Sequence, residues 1–381
     1  MGNLIAIDMD LSPAFLDAVQ RVWERGDAVT PLDRRLPAPA MAGLLRALGP
    51  ARVLDADGEH PSGVRSLPVE EGDALVMATS GSTGAPKGVV LTHEALQASA
   101  VATSRRLGVD PHSDTWLACL PVAHIGGFSV LVRSMVTGTG LVMHERFEAA
   151  RVEAAGADGA TLVALVGTAL GRVDASVFRK VLLGGAAPPE ELPENVVSTY
   201  GMTETGSGVV YDGQPLDGVE VAIGDGSLGA AGEILLRGPM LMRAYRDGTD
   251  PRLEGGWFPT GDAGSIEGSL GRGGLLQVRG RMAEVIVTGG EKVWPGGVES
   301  LLVRHPSIAE AAVAGRADPE WGERVVAFVV PAAGHQPPTL DEVRDLVKSE
   351  LSPWAAPREL VIMESLPRTA GGKLLRRALE T

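Results

Sequence analysis

One lysine stands inside a run of small and hydroxyl-bearing residues. Met77-Ala78-Thr79-Ser80-Gly81-Ser82-Thr83-Gly84-Ala85-Pro86-Lys87-Gly88 holds four hydroxyls, three glycines and that lysine within twelve positions. Hydroxyls and exposed backbone N–H groups can wrap phosphate oxygens, and an ammonium supplies charge to a β- or γ-phosphate. The run is not a Walker A loop, which needs G-x-x-x-x-G-K-[ST]; here Pro86 precedes Lys87 and Gly88 follows it. Read alone, a surface turn explains such a cluster equally well. The surrounding pattern suggests that a strand enters the run and a helix leaves it near Thr92-His93-Glu94.

Further along, residue types able to do chemistry recur in short islands. Leu120-Pro121-Val122-Ala123-His124-Ile125-Gly126-Gly127 sets a histidine before two glycines. Val181-Leu182-Leu183-Gly184-Gly185-Ala186-Ala187 is an apolar strand ending in small residues, where absent side chains let a flat ring approach the backbone. Thr199-Tyr200-Gly201-Met202-Thr203-Glu204-Thr205-Gly206 combines an aromatic ring, hydroxyls and a carboxylate. Gly256-Trp257-Phe258-Pro259-Thr260-Gly261-Asp262 and Val278-Arg279-Gly280-Arg281 contribute an acid and a base, which could equally form a structural ion pair. Val287-Thr288-Gly289-Gly290-Glu291-Lys292 has the small residues of a close approach or of a hairpin turn. Pro367-Arg368-Thr369-Ala370-Gly371-Gly372-Lys373 ends on a second isolated lysine.

Taken in order, these islands resemble the AMP-forming acyl-CoA synthetase, adenylation-domain and luciferase superfamily, over nearly the whole chain. The resemblance implies an ATP-dependent acid–thiol ligase that makes an acyl-AMP, releases pyrophosphate and then forms an acyl-CoA. It assigns Thr79, Ser80, Gly81, Ser82, Thr83, Gly84 and Lys87 to the ATP phosphates. Gly184, Gly185, Ala186, Tyr200 and Gly201 go to adenine, Thr203 to the α-phosphate, and Asp262 and Arg281 to the ribose side. Glu204 is assigned to Mg²⁺, a hard cation that takes carboxylate and phosphate oxygens. Lys373 is the implied catalytic lysine of adenylation, stabilising charge as it builds in the transition state; Thr203, Glu204 and Lys87 complete the catalytic set. Gly289 and Gly290 line the implied passage for the CoA arm. The family usually has Asp or Lys at the hinge between its domains, whereas the matching position here is Ala283, followed by Glu284.

The chain looks like the short actinobacterial 2-succinylbenzoate–CoA ligases of menaquinone biosynthesis. Ala28-Val29-Thr30-Pro31-Leu32-Asp33-Arg34-Arg35-Leu36-Pro37, His124 to Ser134 and Tyr200 to Gly208 carry that likeness. Only 76 residues precede Met77, so part of the N-terminal subdomain usual in the family is expected to be missing. An acid with two carboxylates needs one of them activated and the other held by basic or hydroxyl groups. Candidates for the acid pocket are His124, Gly126, Arg133, Thr205 and Ser207; Arg133 sits on a predicted helix that could turn it away. The same chemistry on another aromatic or short-chain acid, or transfer to a carrier-protein thiol, remains an alternative. A nucleotide-binding regulator that has lost catalysis is a third reading, against which Lys373, Glu204 and Asp262 speak.

The elements that must hold these groups follow from hydrophobic spacing. Phe15, Ala18, Val19 and Val22 share one helix face; Met41, Leu44, Leu45 and Leu48 share another. From about residue 73 to 240, apolar runs such as Ala74–Ala78, Thr115–Leu120, Thr161–Val166 and Val181–Leu183 alternate with helical stretches, which points to a largely parallel α/β sheet. Residues 218 to 280 read as short strands of an antiparallel, barrel-like subdomain. The rest reads as a small α+β unit, with a helix near Gly297–Val303, strands at Ile308–Ala314 and Val325–Val330, a helix at Leu340–Leu351 and a last strand at Glu359–Met363. The expected architecture is a large α/β N-terminal domain, 1–281, with a mobile α+β domain, 282–381.

Bulk properties agree with a nucleotide enzyme. Fifty glycines among 381 residues favour many tight turns over a helical bundle. A formal net charge of -14 disfavours nucleic acid and anionic lipid as partners, so any anion site must be local. The single cysteine, Cys119, lies in the apolar run Trp116–Leu120 and reads as core; one cysteine suits a reducing compartment. No signal peptide or membrane span is expected, and the expected location is the cytoplasm. The expected partners are a small carboxylic acid, ATP and CoA; a homodimer is compatible with the sequence but not required by it.

Overall fold

The computed structural model describes residues 2–80, 86–189, 191–224, 231–268, 270, 274–368 and 374–379. By contact the chain forms two compact units: Met1–Val221 with Leu236–Phe258 and Gly268–Leu275, and Ala222–Leu235 with Pro259–Glu267 and Leu276–Thr381.

The first unit contains two seven-stranded sheets. In one, the strand order is Ala244–Tyr245, Pro86–Thr92, Asp73–Ser80, Ala28–Pro31, Leu4–Ile7, Arg52–Asp55, Gly58–Pro61. Leu4–Ile7 runs parallel to both of its neighbours, and all four of its residues are buried. Parallel neighbours need crossover connections, and the helices Pro13–Glu24 and Ala38–Leu48 supply them. The first helix starts where Ser12 accepts a hydrogen bond from Phe15 N at 3.2 Å and Pro13 takes the first turn. It buries Phe15, Ala18, Val19 and Val22, the face read from the spacing.

The second sheet runs Gln214–Pro215, Ser207–Tyr211, Val196–Met202, Lys180–Gly184, Leu162–Val166, Thr115–Ala118, Gly140–Met143. Its pairings from Val196–Met202 to Gly140–Met143 are parallel; the two at the other end are antiparallel. Helices His93–Leu107 and Ile125–Thr137 pack on each other and against the Ser207–Tyr211 strand. Trp116 and Phe128 are completely buried beside them. Cys119 lies in the core under this sheet, and burial pushes its thiol up to about 12, so it is no nucleophile.

A strand enters the lysine-bearing run, and the helix expected near Thr92-His93-Glu94 begins at His93, where the Thr92 hydroxyl accepts from Ala95 N at 3.1 Å. Before that helix comes a second strand not read from the sequence, Pro86–Thr92, which pairs antiparallel with Asp73–Ser80; Thr79 stands opposite Lys87. Lys87 is therefore a strand residue. Gly88 is what lets the strand pass, since a Cβ there would lie 2.7 Å from Leu48 and 2.9 Å from Val76.

Strands Glu220–Ile223, Gly232–Arg237, Phe258–Glu267 and Leu275–Arg281 form a four-stranded sheet in the region expected to be barrel-like. Gly232–Arg237 alternates buried and half-buried residues, the period-two pattern of a strand with one covered face.

In the second unit, Glu291–Val293, Ile286–Thr288, Gly322–Pro331 and Ile308–Asp318 pair in that order, and Glu359–Ile362 adds parallel to Gly322–Pro331. Helices Pro295–Leu302 and Leu340–Glu350 share a core of Val298, Leu301, Leu302, Val313, Val325, Val343 and Val347. The second of these helices opens on a reciprocal cap between Thr339 and Glu342. Among the described residues no helix is long and apolar enough to cross a membrane.

Candidate active site

The Thr199–Gly206 island folds as the end of a strand and a tight turn. Strand Val196–Met202 pairs with Ser207–Tyr211, and its register breaks between Tyr200 and Gly201, a bulge that re-aims the side chains around it. Gly201 faces Gly208, and a Cβ at Gly201 would overlap the Ser207 carbonyl, so only glycine permits this hairpin. Thr203–Thr205 makes one 3-10 turn that leaves Thr203 and Glu204 half-buried. The fully buried Thr205 hydroxyl bonds Ser207 O at 2.7 Å and Met202 O at 2.9 Å, which holds the turn closed.

Glu204 is held by a residue no motif pointed to. Tyr245 Oη donates to Glu204 Oε1 at 3.0 Å, and the Lys87 ammonium stands 5.0 Å from the centre of the same ring. Glu204 Oε2 makes no hydrogen bond among the described residues. No group of three or more His, Cys, Asp or Glu side chains among those residues could hold a metal unaided. One open carboxylate oxygen suits Mg²⁺, which keeps few protein ligands and takes the rest from phosphates and water.

On the acid side, His124 sits exposed at the N-terminus of the Ile125–Thr137 helix. Arg35 Nη2 lies 3.2 Å from His124 Nε2, and Asp33 Oδ2 lies 3.7 Å from the same nitrogen. Arg35 is itself forked onto Asp33, with Nε to Oδ1 at 2.7 Å and Nη2 to Oδ2 at 2.8 Å. That hydrogen bonding from Arg35 holds the Asp33 carboxyl below its ordinary range. Gly127 is demanded by packing, since a Cβ would overlap the Pro121 carbonyl, whereas Gly126 has room.

Arg133 does not turn away. It is 3% exposed, with Nη2 donating to Ser207 Oγ at 3.0 Å and the guanidinium 5.4 Å from the Trp116 ring centre. Ser207 Oγ also lies 3.0 Å from Ser99 Oγ. Arg133 Nε is buried without a hydrogen-bond partner, and burial holds the guanidinium below its ordinary range. Three elements, around Ser99, Arg133 and Ser207, thus meet in a buried polar cluster inside the first unit.

Gly184 ends the strand Lys180–Gly184, Gly185 follows it at φ +89°, and Ala186 is exposed beyond. In the second unit Asp262 Oδ1 pairs with Arg281 Nε at 3.0 Å, so the two ribose-side candidates neutralise each other. Gly289 and Gly290, at φ +59° and +83°, form the two-residue turn between Ile286–Thr288 and Glu291–Val293. Of the remaining candidates, Thr79 Oγ1 reaches Lys87 O at 3.5 Å, and Ser80 ends its strand opposite Pro86. Gly81, Ser82, Thr83, Gly84 and Lys373 lie outside the described residues.

Tyr245, Asp33, Arg35, Ser99 and Trp116 were missed by sequence reasoning. Only Asp33 and Arg35 carried any signal, as part of the Ala28–Pro37 segment.

Residues 55–246 match the family model described as AMP-binding enzyme, and 297–373 match the AMP-binding enzyme C-terminal domain. A Mycobacterium tuberculosis protein named Probable 2-succinylbenzoate–CoA ligase is 40% identical over 373 residues, spanning 90% of this chain and 93% of that one. The structure of o-succinylbenzoate CoA synthetase (MenE) from Bacillus subtilis in complex with the acyl-adenylate intermediate OSB-AMP is similar with a TM-score of 0.87 at 30% identity, covering 100% of this chain and 88% of that one. The same Bacillus subtilis protein in complex with ATP and magnesium ion gives a TM-score of 0.85 at 29% identity, over 99% and 89%.

Proposed function

The chain belongs to the AMP-binding enzyme family, and on that footing we propose that it ligates 2-succinylbenzoate to CoA. The acid is first joined to AMP with loss of pyrophosphate, and the CoA thiol then displaces AMP.

The observation that supports this acid most directly is Arg133. A buried guanidinium with hydroxyl neighbours and no acid beside it is a receptor for an anion. A monocarboxylate consumed at the α-phosphate would leave it unpaired; an acid with a second carboxylate satisfies it. The relative over nine-tenths of the chain carries the same substrate in its name.

In the first half-reaction a carboxylate oxygen attacks the α-phosphorus of ATP. Two anions meet, so the chain must offset charge. Lys87 serves the β- and γ-phosphates, and Thr203 the α-phosphate. Glu204 Oε2 would hold Mg²⁺, which when bound neutralises the departing pyrophosphate. Tyr200 packs on adenine beside Gly184, Gly185 and Ala186, and Asp262 takes the ribose hydroxyls with Arg281 as its counter-charge. Lys373 is assigned to adenylation by family resemblance. His124 and Gly126 wall the aromatic part of the acid, with Thr205 and Ser207 behind it.

In the second half-reaction the domain 282–381 turns about Ala283 relative to 1–281, and the Gly289–Gly290 turn admits the CoA arm. One small domain then serves two steps by a hinge movement. The reading sets the enzyme in the cytoplasm, and a homodimer is compatible with it.

The test is CoA-dependent AMP formation with 2-succinylbenzoate against benzoate and octanoate. Preference for 2-succinylbenzoate is expected; preference for either of the others would overturn the assignment of the acid.

A further inference from the structure

Tyr245 touches both charged groups that the proposed function sends to the triphosphate, and no motif accounts for it. It lies on the two-residue strand Ala244–Tyr245, opposite Val89 of the Pro86–Thr92 strand, two residues from Lys87. The backbone around it is fastened to both neighbours. Met242 N donates to Glu204 O at 2.7 Å, Arg243 N to Val90 O at 2.9 Å, and Arg246 N to Gly88 O at 2.7 Å. Its ring is thus fixed between Lys87 and the Thr203–Thr205 turn.

A lysine and a glutamate that touch the same ring are candidates to pair, and a paired set offers the nucleotide neither charge. The ring prevents that. Its face draws the Lys87 ammonium, 5.0 Å from its centre, by cation–π attraction. Its hydroxyl, a neutral donor, occupies Glu204 Oε1 at 3.0 Å and leaves Oε2 open. Lys87 forms no ion pair among the described residues.

We propose that Tyr245 is a positioning residue that keeps Lys87 and Glu204 apart, the first aimed at phosphate and the second presenting one oxygen to the divalent cation. The proposal rests on the adenylation reading.

Two variants separate the halves of the role. Tyr245→Phe keeps the ring and loses the hydrogen bond; Tyr245→Leu loses both. Binding of α,β-methylene-ATP is measured by calorimetry with and without Mg²⁺, with Tm as the check that each variant is folded. Tyr245→Phe should bind the analogue normally without Mg²⁺ but lose about tenfold of the tightening that Mg²⁺ gives, the effect of one hydrogen bond to a charged group. Tyr245→Leu should weaken binding in both conditions, because Lys87 is then free to pair with Glu204. In a Glu204→Gln background the further change to Phe should have no effect on the Mg²⁺ dependence. A folded Tyr245→Phe with the full Mg²⁺ effect, or an effect of equal size in the Glu204→Gln background, overturns the proposal. If Tyr245→Phe does not fold, an unaltered response to Mg²⁺ in Tyr245→Leu does the same. A wild-type protein that binds no analogue and exchanges no pyrophosphate overturns instead the adenylation reading.

Discussion

Arg133 Nη2 donates to Ser207 Oγ across 3.0 Å, and no carboxylate offsets the guanidinium among the described residues. A cation buried without a counter-charge destabilises the empty protein, and an arriving anion relieves it. On the proposed reading, the position serves ligand binding at the expense of stability.

Arg133→Met should accordingly leave Tm unchanged or raised by about 1–2 °C, while KM for 2-succinylbenzoate rises about 10- to 100-fold. KM for ATP should not move. Steady-state kinetics and thermal melts read both. A fall in Tm with an unchanged KM for the acid would show that Arg133 is only part of the core.

Much of the frame was legible because burial writes itself into spacing. The helix face of Phe15, Ala18, Val19 and Val22, and the strands near Ala74, Thr115, Leu162 and Val181, came from periods of 3.6 and 2. The strand Pro86–Thr92 escaped because Pro86, Lys87 and Gly88 look like a loop; pairing with Asp73–Ser80 overrides that local preference. The candidate site could be read from the sequence only where its residues are contiguous, as Thr203 and Glu204 are in one turn, and not where contact joins distant positions. Tyr245 stands 41 residues from Glu204, and Arg35 stands 89 from His124. Nothing in the sequence around either partner encodes such a contact.

The Asp33–Arg35–His124 group yields a second prediction. Arg35, anchored by Asp33, donates toward His124 Nε2 at 3.2 Å and so orients the ring that the proposed function places against the acid. Arg35→Gln should raise KM for the acid about tenfold with little change in KM for ATP. Arg35→Lys, which lacks the planar fork, should rescue only part of that loss. Equal kinetics for all three proteins would remove Arg35 from the acid side.

The glycine pair of the small domain should separate stability from the thiol step. A Cβ at Gly289 would sit 2.6 Å from the Trp321 ring at φ +59°, whereas Gly290 faces open space at φ +83°. Gly289→Ala should destabilise the protein by about 1–3 kcal/mol through strain and overlap. Gly290→Ala should cost about 1 kcal/mol and still exchange pyrophosphate normally, while acyl-CoA formation slows because the new methyl narrows the CoA passage. Pulse formation of acyl-AMP followed by CoA addition distinguishes the steps. Unimpaired acyl-CoA formation in Gly290→Ala would take this turn off the CoA path.

Acid sensitivity should centre on Asp114. Burial alone would raise its pKa, but Arg179 at 2.6 and 2.8 Å, Asp110 N at 2.9 Å and Thr161 Oγ1 at 2.7 Å together outweigh it, and the folded carboxyl titrates below its ordinary value. A depressed pKa in the folded state means that the unfolded chain binds the proton first. The stabilisation is then present above the unfolded value, about 3.9, and is lost as pH falls through the folded one. Wild-type stability should drop below about pH 4. Asp114→Asn should be less stable at pH 7 by about 1–3 kcal/mol, a figure kept low because Arg179 is partly exposed, and its stability should fall less steeply in acid. Urea midpoints from pH 3 to 7 decide the point: parallel curves for the two proteins would mean that the acid transition originates elsewhere.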